Sequence, residues 1–161
     1  MKKILQLLML IAITATVLTA CSGQKGTVAN SNVSRGKFTG TWTVTRITYE
    51  GLVEGAVQNV FDQAPPAAFR NSTWQLTNSG NGMYTLTNGT SQSIYWGINN
   101  TDASGQIFQF KKIYQGDKPK NVTEGYQLYV AGNDGATMTL RSPVAIGNSN
   151  AYIVYHFAKV K

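Results

Sequence analysis

The sequence predicts an all-β protein, a single eight-stranded antiparallel up-and-down barrel with one short helix after the first strand. Three observations predict it. The 161 residues are rich in Gly, Asn, Thr, Ser and Tyr and only 13% are charged, a strand-and-turn composition. Eight segments alternate apolar and polar residues with the period of two that half-buried strands show. Turn signals separate neighbouring segments at even intervals, and only the connection after the first strand is long. That spacing favours up-and-down order over a Greek-key sandwich. Eight strands enclose a space that side chains just fill or that holds one small ligand.

The first strand spans Lys37 to Glu50, with Phe38, Trp42, Val44, Ile47 and Tyr49 set among threonines. From Leu52 to Gln63 the period changes. Leu52, Val53, Ala56, Val57, Val60 and Phe61 recur at i, i+1, i+4, i+5, i+8 and i+9, one face of a short helix, and Pro65-Pro66 stops it. Such a helix either acts as a lid over a barrel mouth or closes the barrel end as packing. Its shortness and apolar face favour packing. Ala67-Ala68-Phe69-Arg70 leads back to strand. Thr73 to Thr77 and Met83 to Thr87 flank Asn78-Ser79-Gly80-Asn81-Gly82, a hairpin signal. Trp74 and Leu76 share one face of the first of these strands, and Tyr84 and Leu86 one face of the second. Gly80-x-Gly82 carries no nucleotide-loop reading, because no βαβ unit follows. Ser93 to Asn99 puts Ile94, Trp96 and Ile98 on one face. Gln106 to Tyr114 does the same for Phe108 and Phe110, and Thr123 to Ala131 for Tyr126, Leu128 and Val130. Gly132-Asn133-Asp134-Gly135 turns the chain into Thr137 to Arg141. Gly147-Asn148-Ser149-Asn150 turns it into the last strand, Tyr152 to Val160.

Ahead of the first strand the chain reads as export and tether. Met1-Lys2-Lys3 is positive, and an apolar run follows from Ile4 to Val17, the layout of a secretory signal. The run is shorter than the roughly 18 residues of a membrane span. It ends in Leu18-Thr19-Ala20-Cys21, which resembles the bacterial lipobox. The resemblance implies that residues 1–20 are removed, that the Cys21 thiol receives a diacylglycerol and that the new amine is acylated. Each buried CH₂ contributes about 0.8 kcal/mol, so two or more acyl chains hold stably where one holds marginally. Ser22, where an Asp would favour inner-membrane retention, resembles an outer-membrane sorting signal. The expected location is the cell outer membrane, with the protein anchored by lipid. Residues 21–36 are polar and Gly- and Ser-rich and read as a flexible tether, and 37–161 as the barrel domain.

Composition narrows the function classes. Removal of residues 1–20 leaves 12 basic against 7 acidic side chains, a formal charge of +5. The bases are scattered, the densest group being Lys111 to Lys120. That group has two readings, an anionic partner or a solvated strand end and turn, and the second is preferred. An exported protein is not read as a partner of nucleic acid. Acylation of the single cysteine leaves no thiol for disulfides or for metal. The one histidine, His156, lies in the last strand with no Gly-x-Ser-x-Gly elbow elsewhere. The seven acids are scattered and pair no two carboxylates for glycoside chemistry. The expectation is a non-enzymatic protein with no catalytic residue, metal or cofactor.

Several short motifs carry a family resemblance: Gly40-Thr41-Trp42, the run Phe69 to Leu76, the hairpin Gly80-Asn81-Gly82-Met83-Tyr84, and Tyr152 to Lys159. Together the pattern resembles the lipocalin-like lipoproteins of Bacteroides-type bacteria. In lipocalins the Trp of the opening Gly-x-Trp plugs one end of the barrel, and a basic residue near the last strand packs over it. Arg141 and Lys159 both fit that part for Trp42. Many members carry a cysteine in the second-strand region, which this chain lacks. The resemblance implies a small hydrophobic or amphipathic ligand. Trp74, Tyr84, Trp96, Phe108, Phe110 and Tyr155 are the candidate ligand wall. The competing reading for each is barrel core. The alternative function is an interaction or accessory subunit of an outer-membrane protein assembly, with the barrel as a rigid body.

Overall fold

A computed structural model describes residues 32–121, 125–147 and 149–161. The signal segment, Cys21 and the tether up to residue 31 lie outside the described residues, as does Thr123, the expected start of the sixth strand. Eight strands close in chain order into one antiparallel barrel. They are β1 Gly40–Glu50, β2 Thr73–Leu76, β3 Asn81–Thr85, β4 Ser91–Asn99, β5 Ile107–Lys112, β6 Tyr126–Asn133, β7 Thr137–Ile146 and β8 Ser149–Lys159. Each strand pairs with the next, and β8 closes on β1 through the register Trp42↔Lys159 to Glu50↔Tyr152. The period-two pattern sets the faces: Trp74, Leu76, Tyr84, Ile94, Trp96, Phe108, Phe110, Leu128 and Leu140 are all buried.

The two ends of the barrel are built differently. At the base, β1 begins and β8 ends. A 3-10 turn at Arg35–Phe38 pushes Phe38 under the strands, fully buried against Trp96 and Phe108. The Trp42 indole donates its Nε1–H to the Phe38 carbonyl (2.8 Å). Lys159, not Arg141, lies over Trp42, with Nζ 5.1 Å from the ring centroid. Arg141 instead stacks on Tyr152 at 4.0 Å and pairs with Glu50. The glycine of Gly-x-Trp is explained by the same contact. Gly40 has φ +120, and a Cβ there would stand 2.6 Å from Lys159 Cε. Of the segment read as tether, the described end is held to this base. Val33 exchanges hydrogen bonds with the Gln106 side chain (3.2 and 2.8 Å), and Arg35 stacks 4.0 Å above Trp96.

At the mouth run the connection 51–72 and the described residues 113–121 of the connection after β5. The expected helix over Leu52 to Gln63 does not form. The segment is turns and bends, with a 3-10 turn only at Pro66–Phe69. Glycines at both its flank and its middle, Gly51 and Gly55, take positive φ of 70 and 87, which a right-handed helix does not accommodate. Val60 then pairs with Ala64 as an isolated bridge, and the Asn59 side chain accepts the Gln63 N–H at 2.8 Å, so a tight loop replaces the i to i−4 ladder. The apolar repeat does not mark one face either: Val53 is 75% exposed while Val60 and Phe61 are buried.

The β6–β7 seam is irregular near the mouth. The β6–β7 register runs from Asn133↔Met138 to Tyr129↔Arg141 and ends there. Continued, it would set Gln127 opposite Pro143. Val130 donates its N–H to Gln106 on the β5 side, and Thr137 accepts from Asp134 on the β6 side. By strand alternation, Gln127 turns its N–H towards β7, and Pro143 faces β6 with a nitrogen that has no hydrogen to give.

Candidate functional site

The six aromatic residues of the candidate wall come together inside the barrel, none more than 2% exposed. Trp74 lies 4.9 Å from Tyr84 and 5.5 Å from Phe110, while Phe108 lies 5.8 Å from Trp96 and 6.2 Å from Phe110. Tyr155 joins the set through two rings absent from that wall, Phe61 at 5.6 Å and Phe69 at 6.4 Å. The contacts are tilted or edge-to-face for the most part, the geometry aromatic quadrupoles prefer. Two polar atoms of the set have no hydrogen-bond partner, the Tyr155 hydroxyl and Trp96 Nε1. Burial pushes the Tyr155 phenol above its ordinary pKa, so it is a neutral donor inside the barrel.

Phe61 is the centre of the mouth half. It comes not from a strand but from the loop closed by Val60 and Ala64, and its ring lies 5.1 Å from Phe110, 5.3 Å from Phe69, 5.4 Å from Tyr126 and 6.3 Å from Trp74. Phe61 and Asp62 both take left-handed backbone, φ 54 and 46. Asp tolerates that region, whereas a bulky residue there costs on the order of 1–3 kcal/mol. Burial of the ring among five others outweighs the cost, since deleting such a side chain typically removes about 3–5 kcal/mol.

The rim of the barrel holds the loop tip by hydrogen bonds. Lys112, inward on β5 and 8% exposed, donates Nζ–H to the Asp62 carbonyl (2.9 Å). The Tyr126 hydroxyl donates to Asp62 Oδ2 (2.8 Å), and the Tyr84 hydroxyl makes a longer contact with Gln63 Oε1 (3.4 Å). Burial lowers the Lys112 pKa, with Asp62 opposing it, and burial followed by the Asp62 bond raises that of Tyr126. A cleft of about 470 Å³ adjoins the tip, lined by Val57, Val60, Phe61, Tyr126, Val144 and Ile153.

Sequence reasoning missed Phe61, Phe69 and Tyr126 as wall residues, and Asp62 and Lys112 as its polar edge. Lys112 had a legible signal, because it continues the inward alternation of Phe108 and Phe110. It therefore departs from the solvated reading of Lys111 to Lys120. The remainder of that group is outside the wall, where Lys111, Lys118 and Lys120 rim a groove of about 790 Å³ with Tyr95 and Gln127. His156 is on the outer face of β8, its Nε2 3.0 Å from Thr48 Oγ1, away from the aromatic interior. Among the described residues no three His, Cys, Asp or Glu side chains are placed to hold a metal ion.

No protein-family model matches this chain, and no curated protein matches it.

Proposed function

We propose that this is a lipid-anchored lipoprotein of the cell envelope, held at the outer membrane through Cys21, whose lipocalin-like barrel takes a small hydrophobic or amphipathic ligand. It works as a binding module and not as an enzyme. One observation carries the ligand reading. Phe61 reaches from a strained loop into the aromatic interior from the mouth, where it occupies the place of an apolar guest. The unpartnered Tyr155 hydroxyl beside it offers such a guest one polar contact. Withdrawal of the loop opens a site walled by Trp74, Tyr84, Phe110 and Tyr155, with Trp96 and Phe108 at its floor.

The plugged state lowers apparent affinity by the fraction of time the plug is out. Phe61→Ala removes that competition. The full chain carrying it binds the neutral dye N-phenyl-1-naphthylamine about tenfold or more tighter than wild type, read by dye fluorescence. A folded Phe61→Ala protein that takes up no dye, together with native protein that releases no small molecule on solvent extraction, overturns the reading.

The second reading, an interaction or accessory subunit of an outer-membrane assembly, draws on a specific observation too: in the plugged form all six wall aromatics are nearly inaccessible. Pull-down through the native anchor tests it. A stoichiometric protein partner supports it, and its absence removes it.

A further inference from the structure

The plug and the rim that holds it differ in chemistry, and the difference describes a ligand. This inference rests on the reading of Phe61 as a place-holder. Every rim group that touches the tip is a donor: the Lys112 ammonium, the Tyr126 hydroxyl and the Tyr84 hydroxyl. Every acceptor belongs to the plug: the Asp62 carbonyl, the Asp62 carboxylate and the Gln63 amide oxygen. With the tip withdrawn, Lys112 and Tyr126 lose the Asp62 carbonyl and carboxylate to which they donate, and only the weakly accepting phenol oxygens face the ammonium. An unpaired buried charge is costly, so the open state favours a guest that brings negative charge to that spot. The tip itself has this composition. Phe61 puts an aromatic ring in the interior, and the next residue puts a carboxylate at the rim.

We infer that the barrel takes a small monocarboxylate with an aryl or compact apolar body, its ring replacing Phe61 and its carboxylate replacing the acceptors of Asp62. Tyr126 donates to one carboxylate oxygen and Lys112 to the other. The body lies against Phe69, Trp74, Phe110 and Tyr155. The cleft of about 470 Å³ beside Phe61, bounded by Val57, Val144 and Ile153, gives room for a body somewhat longer than one ring. A neutral amphiphile of the same shape gains the apolar contacts but leaves Lys112 unpaired.

The test compares 3-phenylpropionate with 3-phenylpropan-1-ol by titration calorimetry on the full chain. In Phe61→Ala the carboxylate binds about tenfold or more tighter than the alcohol, and adding Lys112→Met abolishes the preference. Asp62→Asn keeps Phe61, an acceptor and a side chain tolerant of left-handed backbone, and removes only charge. By loosening the tip it strengthens binding of both probes over wild type, and by removing a like charge it strengthens the carboxylate more than the alcohol, which provides the test if Phe61→Ala does not fold. Equal affinity for the two probes overturns the carboxylate inference and leaves the plug reading standing. Binding of neither probe to a Phe61→Ala protein with native near-ultraviolet dichroism overturns both. A preference that survives Lys112→Met, or carboxylate binding that Asp62→Asn improves no more than alcohol binding, also overturns the inference.

Discussion

A phenylalanine in left-handed backbone and a lysine facing inward are the two side chains that give the mouth its character, and each was hidden in the sequence for a physical reason. Phe61 fell into a run whose spacing mimics a helix face, and nothing local marks a residue that leaves its own segment to enter a barrel built by others. Lys112 obeyed the alternation of its strand, but lysines seldom follow that alternation into a core, so composition argued against the pattern. The aromatic wall was legible because Trp74, Tyr84, Trp96, Phe108, Phe110 and Tyr155 sit on strands, where parity alone gives direction. His156 is also settled by parity, on the outer face of β8. Its partial burial, then Arg46, depress its pKa below the ordinary 6.5, with Glu50 opposing. A folded pKa below the unfolded one means that the unfolded chain binds the proton more readily. The stabilising contribution is therefore complete above the unfolded value and is lost as pH falls through the folded one. His156→Gln flattens the decline of stability between roughly pH 7 and 5, measured by urea unfolding. The single imidazole proton resonance reports a midpoint below 6.5 in the folded protein. A midpoint at or above that value excludes the linkage.

At the level of elements, the strands were readable and the connection after β1 was not. Strand signals are local, since alternation and turn residues act within a few positions. The 52–63 segment is decided by non-local events instead, namely two glycines in positive φ, the Val60↔Ala64 bridge and the capture of Phe61 by the interior. The base shows the opposite case, in which a short motif encodes a tertiary contact. Gly40 opens β1 because β8 ends above it, and the Lys159 stem crosses the space a Cβ would need on its way to Trp42. Gly40→Ala forces both a φ of +120 on alanine and the displacement of Lys159, and it destabilises the barrel by about 1–3 kcal/mol. Chemical denaturation followed by Trp emission measures it. Lys159→Ala in the same background recovers only the steric part, because a cation over an indole contributes about 0.5–1 kcal/mol that is then absent. A Gly40→Ala protein as stable as wild type would show that the close approach is not maintained in solution.

For the whole molecule, closure of the barrel removes most of the sheet edge, and the β6–β7 ladder stops short at the mouth beside one residue that cannot continue it. Pro143 is that residue. It pairs with Tyr152 towards β8, the side on which its missing N–H is not needed, and faces Gln127 with the side on which it is. The seam falls at the mouth, beside the cleft that borders Phe61 and against Tyr126, whose hydroxyl holds Asp62. In the proposed opening of the mouth, a wall that is locally unlaced there lets β6 and β7 separate, whereas a continuous ladder resists it. Among the described residues the base, docked by Phe38 and capped by Trp42, keeps β1 paired on both sides, to Leu76 of β2 and Lys159 of β8. Pro143→Ala restores an N–H aimed at the Gln127 carbonyl. One added ladder bond contributes about 0.5–1.5 kcal/mol, while the freer unfolded chain takes back about 0.4–1, so global stability changes little. The local effect is the informative one. Amide exchange at Gln127 and at its neighbours on β6 slows in Pro143→Ala, while exchange in β1 and β8 stays as in wild type. On the proposed binding reading, the variant also takes up N-phenyl-1-naphthylamine more slowly at unchanged equilibrium affinity, since the substitution alters the seam and none of the proposed bound contacts. Unchanged exchange at Gln127 would mean that β6 and β7 are already laced together at that point in solution, and the seam would then have no part in opening the mouth.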